Sequence, residues 1–150
     1  MIKLTSPITV FFLAAMVALG PLATSMYLPA FPAMGETLGV DADMIQLTLS
    51  AYMIGLAVAQ LVCGPLADRF GRKPLLLSGI ALFCLGSVGC MLAESINNLL
   101  LFRFLQAFGA AAGMVLSQAM VRDIFEPIDA ARKLAYMGST IALAPAVAPV

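Results

Sequence analysis

The chain has 150 residues, of which 62% are hydrophobic and only 11% charged, and its mean hydropathy is +1.02. A water-soluble domain carries roughly twice that share of charge, so this is the composition of an α-helical membrane protein. Lys plus Arg and Asp plus Glu balance at 8 each, which leaves no basic surface for nucleic acid.

The first uncharged run extends from Pro7 to Tyr27, behind Lys3. It has the position of a signal peptide, but a cleavable apolar region is shorter and ends at a small-x-small site, for which Ala23-Thr-Ser25 is a poor candidate. The run is long enough to cross a bilayer and leads into a second such run, so a spanning helix is predicted over about 7–31. Gly20-Pro21 predicts a kink inside it. Pro29 and Pro32 are expected to help end it.

The link from Ala33 to Asp43 holds Glu36, Asp41 and Asp43 and no cation. A second helix is predicted over about 44–66. Thr48, Ala51, Tyr52, Gly55 and Ala59 fall on one face of it, and small residues spaced by four let membrane helices approach closely. A charged stretch then runs Gly64-Pro-Leu-Ala-Asp-Arg-Phe-Gly-Arg-Lys-Pro74. Gly64 and Pro65 are expected to end the second helix, Gly71 to permit a tight turn, and Pro74 to sit in the first turn of the next helix. Asp68 faces the negative end of the helix dipole there and needs a compensating cation, with Arg69 and Arg72 within reach and Lys73 beside them.

A third helix, about 75–93, repeats the small-residue spacing with Gly79, Gly86 and Gly89. After the short link Glu94-Ser-Ile-Asn-Asn98 a fourth helix, about 99–121, holds Arg103, the one charge inside an otherwise apolar span. Steps of about 100° place Arg103, Gln106, Gly109, Ala110, Gly113 and Ser117 on one face, with Phe104, Phe108 and Val115 opposite. Arg103 lies roughly 7 Å inside the predicted helix end, near enough to snorkel outward. A cation sharing its face with Gln106 and two glycines is better explained by an inward position with a polar partner.

Arg122, Asp123, Glu126, Asp129, Arg132 and Lys133 make the next link charged, and a fifth helix is predicted over 134–150, bent by Pro145 and Pro149. Seven of the eight cations, Lys3, Arg69, Arg72, Lys73, Arg122, Arg132 and Lys133, fall at one end of the five helices, and neither link at the other end holds one. The cationic end is expected to be cytoplasmic, together with the N-terminus. Cys63, Cys84 and Cys90 lie in or beside apolar runs without metal-ligand spacing and read as packing residues, so no metal site or disulfide framework is expected. With no histidine, no nucleophile paired with a base and no phosphate-binding loop, no enzyme reading survives.

Gly64, Leu66, Ala67, Asp68, Arg69, Gly71, Arg72 and Lys73 match the loop between helices two and three that marks the major facilitator superfamily. General loop chemistry does not demand so many identities at fixed spacing, which weighs against a turn that merely fixes topology. Met26-Tyr-Leu-Pro-Ala-Phe-Pro32 resembles the bicyclomycin and chloramphenicol resistance (Bcr/CflA) branch of its drug exporters, with Ser25 where that branch carries an acid. Leu101, Arg103, Gln106 and Gly109 resemble the superfamily's helix-four motif, with Ala107 in place of the usual Gly. Ala144, Ala148 and Pro149 resemble the first half of the exporters' helix-five motif, with Ala for Gly.

The resemblance implies a twelve-helix fold in two halves, of which this chain would supply about four and a half helices as a partial reading frame or truncated copy. It also implies a secondary transporter in a bacterial inner membrane, driven by a proton gradient without a bound cofactor, exporting small amphipathic drugs or metabolites. Its partners would be the small-molecule substrate, membrane lipid and the remaining helices of the fold. Gly64, Asp68, Arg69, Gly71, Arg72 and Lys73 would form a gating loop. Arg103, Gln106, Tyr27 and Ser25 would lie on the coupling and substrate path, although Ser25 cannot titrate. Gly55, Gly109 and Gly113 would pack helices. The alternatives are uptake of a small solute, or a non-transporting membrane remnant that dimerises through Gly109 and Gly113.

Overall fold

The computed structural model describes residues 7–147 and is helical almost throughout. Helix α1 is Pro7–Tyr27, followed by a 3₁₀ turn at Leu28–Ala30 and the short α2, Phe31–Leu38. Then come α3, Ala42–Phe70, α4, Arg72–Met91, α5, Ile96–Ile124, and α6, Pro127–Val147. Four stretches, Ile8–Leu38, Ala42–Phe70, Arg72–Met91 and Ile96–Ile124, are long and apolar enough to cross a membrane. At 29 residues each, α3 and α5 are about 43 Å long against a hydrocarbon core of about 30 Å, so their ends stand in the headgroup region or in water.

That excess length explains the main departures from the sequence-based boundaries. Helix α3 does not end at Gly64-Pro65; Pro65 lies inside it and is exposed. Proline forfeits one backbone bond, which a membrane helix tolerates, whereas unwinding the chain there would expose several unpaired groups. The break falls at Gly71 alone, with φ +88° and ψ 155°, a left-handed conformation that glycine adopts without a Cβ penalty. Pro74 does sit in the first turn of α4. Pro29 and Pro32 do not simply end α1: each stands in the first turn of the next helical piece, where a missing N–H costs nothing. The link expected from Ala33 is therefore helical up to Leu38. Gly39, at φ +63°, closes α2 by donating to the Gly35 carbonyl. Pro127 likewise starts α6 seven residues before Leu134, so Asp129, Arg132 and Lys133 of the charged stretch lie in its first two turns, while Arg122 and Asp123 belong to the last turn of α5. Helix α1 runs unbroken through Gly20-Pro21.

Helix α5 is the axis of the bundle, packed mainly against α3 and α4, then α1, while α6 lies along α1. It is also the most buried helix, with Arg103, Gln106, Gly109, Ala110, Gly113 and Ser117 all inside. The buried stripe of α3 is Ile45, Thr48, Tyr52, Gly55, Ala59, Cys63 and Ala67, a run of threes and fours in which every long side chain is at the Tyr52 end or above it. Phe108 and Val115, expected opposite the polar face, pack partly buried beside the cluster of Ala59, Leu76, Ala111, Ala112 and Leu116.

Glycine is used where backbones meet. A Cβ on Gly55 would come within 2.8 Å of the Ala107 Cβ and 3.0 Å of the Phe104 carbonyl, and one on Gly86 within 2.7 Å of the Gln106 nitrogen. A Cβ on Gly109 would collide with the Phe83 backbone and the Gly79 carbonyl, and Gly113 packs against the Met16 carbonyl. Gly109 and Gly113 therefore serve α4 and α1 within the bundle and are not free to dimerise it. Pro149 lies outside the described residues, as does the side chain of Pro145.

Candidate functional site: a cation buried among aromatic rings

Arg103 is the largest fully enclosed side chain of the bundle, with 2% of its surface exposed. Because α5 starts at Ile96, Arg103 stands about 10 Å into the helix, about 3 Å deeper than the sequence suggested. The enclosure rules out snorkelling. Its Nη1 donates to the Gln106 Oε1 at 2.7 Å, one turn along the same helix. The Gln106 Nε2 donates in turn to the Ser87 Oγ of α4 at 2.8 Å, and Ser87 donates to the Phe83 carbonyl at 2.8 Å. The chain of donors ends on a backbone acceptor, so every polar group along that side is satisfied.

The other side of the guanidinium meets rings. Its Cζ lies 3.3 Å from the centroid of Tyr27, at the end of α1, and 5.1 Å from that of Tyr52 on α3. Both rings are fixed by their hydroxyls. Tyr27 shares a hydrogen bond with Thr48, which itself donates to the Ile45 carbonyl at 2.6 Å, so Tyr27 is the donor in that pair. Tyr52 donates to the Gly20 carbonyl at 3.3 Å, across to α1. Among the described residues no carboxylate pairs with Arg103; the ion pairs are Arg72–Asp123 and Arg132–Asp129. An isolated buried cation costs several kcal/mol, of which a desolvated cation–π contact offsets about 2 kcal/mol. Nε and Nη2 are buried without a hydrogen-bond partner.

Ser25 is half-buried on α1 and makes no hydrogen bond to Arg103 among those formed by the described residues. The group that meets the guanidinium from α1 is instead the ring of Tyr27, two residues along. Tyr52, Thr48 and Ser87 belong to the site although the sequence marked the first two only as a packing face. Tyr27 also edges an open, mostly apolar crevice of about 390 Å³ lined by Met34, Cys90, Met91 and Leu99.

At the opposite end of the bundle the charged turn is arranged differently from expectation. Asp68 and Arg69 are exposed, and Asp68 has no ion pair among the described residues. Arg72 does not compensate Asp68 but reaches Asp123 at the end of α5, Nη1 to Oδ2 2.7 Å, with both side chains partly exposed. That Nη1 makes no aligned hydrogen bond, so the contact is one of charge with charge. The pair ties the α3–α4 turn to the α5–α6 turn and places both at the same end of the molecule. Arg69, Lys73 and Arg122 stand at that end, while Glu36, Asp41, Asp43 and Glu94 stand at the other.

These features define a multi-pass membrane bundle with one cation held in its interior and its surface charges sorted by end. Residues 11–150 match the model of the Major Facilitator Superfamily, and the chain belongs to that family. It is 43% identical over 93% of its length to the uncharacterized MFS-type transporter YdgK of Bacillus subtilis, spanning 35% of that protein. It is 42% identical over 94% of its length to a chloramphenicol resistance protein of Pseudomonas aeruginosa, spanning 34% of it. A bicyclomycin resistance protein homolog of Haemophilus influenzae is 36% identical over 88% of the chain and is spanned over 33% of its own length. The chain thus spans about a third of the relatives it matches.

Proposed function

We propose that this chain forms part of a secondary active exporter of small amphipathic compounds in a bacterial plasma membrane, with its N-terminus and its cationic turns in the cytoplasm. The observation that carries the reading is Arg103. A cation enclosed at membrane depth is costly and is retained where it acts on a coupling ion or substrate. Its neighbours Gln106, Ser87, Thr48 and the two tyrosines make a polar core in helices that otherwise need none. The names of the chloramphenicol and bicyclomycin resistance relatives support export of drug-like solutes. A proton gradient is the energy source in this reading, as the match of the Gly64–Lys73 turn and of Arg103 and Gln106 to the superfamily's motifs implies. The eight acids all lie in links or near helix ends, so either the carboxylate that trades the proton lies in other helices of the fold, or coupling runs through Arg103 and Gln106 and the water or backbone carbonyls they organise.

The charged turn serves as the gate. An acid at the C-terminal end of α3 is unfavourable against the helix dipole unless a cation or a helix N-terminus of another segment meets it. Asp68 is exposed and available for such a contact, while the Arg72–Asp123 pair keeps the turn rigid. The test is transport by the complete reading frame in everted vesicles: an imposed proton gradient should drive accumulation of labelled chloramphenicol, and a protonophore should abolish it. Accumulation unaffected by the protonophore would overturn proton coupling, and none for any of a panel of amphipathic solutes would overturn export.

A further inference from the structure

We propose that Tyr27 and Tyr52 are positioning residues for Arg103, and that their π-faces supply the negative potential that offsets part of the cost of burying its guanidinium and orients it where no described carboxylate pairs with it. The inference concerns the same site as the proposed function, but it is read from the chain itself and stands or falls without transport.

Three observations carry it. Arg103 is enclosed, with no acid in ion-pair distance among the described residues. Its single hydrogen bond, to Gln106, uses one of the five N–H donors a guanidinium has, and Nε and Nη2 have no partner. The centroid of Tyr27 lies 3.3 Å from Cζ, within the range in which the ring quadrupole attracts a cation, and Tyr52 backs it at 5.1 Å. Each ring is pinned to a different helix from the one that bears it: Tyr27 of α1 through Thr48 of α3, and Tyr52 of α3 through the Gly20 carbonyl of α1. The two tyrosines therefore bind α1 to α3 reciprocally, with the cation as the shared filling.

The geometry has a spectroscopic signature. A guanidinium lying flat on a ring is shifted upfield by the ring current, and the effect depends on the ring and not on its hydroxyl. In the 150-residue chain in detergent micelles, the Arg103 Nε–H and Cδ protons should resonate upfield of those of an exposed Arg such as Arg132. Tyr27→Phe should keep the shift and Tyr27→Leu should abolish most of it, with Tyr52→Leu having a smaller effect because its ring is farther away. Thermal unfolding of the same variants supplies an independent reading: Tyr27→Leu should lower the midpoint in the parent but add little in an Arg103→Met background. An unshifted Arg103 in the parent would overturn the proposal. So would a Tyr27→Phe chain as perturbed as Tyr27→Leu, or a Tyr27→Leu loss of equal size with Arg103 and with Met at position 103.

Discussion

Alanine at Gly109 should weaken the bundle, while alanine at Gly64 should strengthen it. Both glycines lie inside long helices, where Gly→Ala on its own is worth about 1 kcal/mol in favour of the helix. At Gly64 nothing lies within 4 Å of the new Cβ, so most of that gain is kept, a net stabilisation of about 0.5–1 kcal/mol. At Gly109 the Cβ would fall on the nitrogen and Cα of Phe83 and on the Gly79 carbonyl. These are backbone atoms, which cannot rotate aside as a side chain can. Helices α4 and α5 must separate, at an overpacking cost of about 1–3 kcal/mol. Subtracting the intrinsic gain leaves a net loss of up to about 2 kcal/mol, and the separation also stretches the Gln106–Ser87 bond that spans the same interface. The assay is loss of helical circular dichroism as the fraction of sodium dodecyl sulfate in mixed micelles rises. A Gly109→Ala midpoint at or above the parental value, or a Gly64→Ala midpoint well below it, would refute the packing argument.

Other expectations follow from the same geometry. Gln106→Leu leaves the Arg103 Nη1 and the Ser87 hydroxyl without their partner and should cost about 1–3 kcal/mol in the same titration, whereas Ser87→Ala should cost about 1 kcal/mol; equal effects would show that Arg103 does not rely on Gln106. In the complete reading frame, Asp68→Asn should reduce efflux far more than protein abundance, and normal efflux at equal abundance would return the turn to a topological role. Asp123→Asn should resemble Arg72→Gln in efflux, and their double variant should be no worse than either alone, since both break one contact. With Cys63, Cys84 and Cys90 replaced, a cysteine introduced near Asp41 should react with an impermeant thiol reagent in intact cells; reaction only after permeabilisation would invert the topology.

Apolar run length shows the number and order of the long helices, and the 100° pattern places Arg103, Gln106 and the glycines on the buried face of α5. Helix ends were misread for a physical reason. Proline and glycine were weighed as they act in water, yet Pro65 stays within α3 where unwinding in lipid costs more, and Pro29, Pro32 and Pro127 initiate helical turns. Partners across helices were not legible. Tyr27, Tyr52 and Ser87 come to Arg103 from three different helices, and Arg72 meets a residue far along the chain. Only the alternation of Thr48 and Tyr52 on one face of α3 hinted that this stripe carries more polarity than packing requires. Ser25 stands where the resembling branch carries an acid, and the α1 group beside Arg103 is the Tyr27 ring.

In the proposed function Arg103 acts as an oriented guanidinium and not as a mere positive charge. Lysine at this position keeps the charge but loses the planar group that lies on Tyr27 while donating to Gln106. The decisive measurement is therefore proton-driven efflux by Arg103→Lys in the complete reading frame, at matched abundance and across a range of external pH. The expected result is normal membrane insertion with most of the gradient-dependent efflux lost. Efflux at the parental rate with the parental pH dependence would contradict it and leave Arg103 a structural cation.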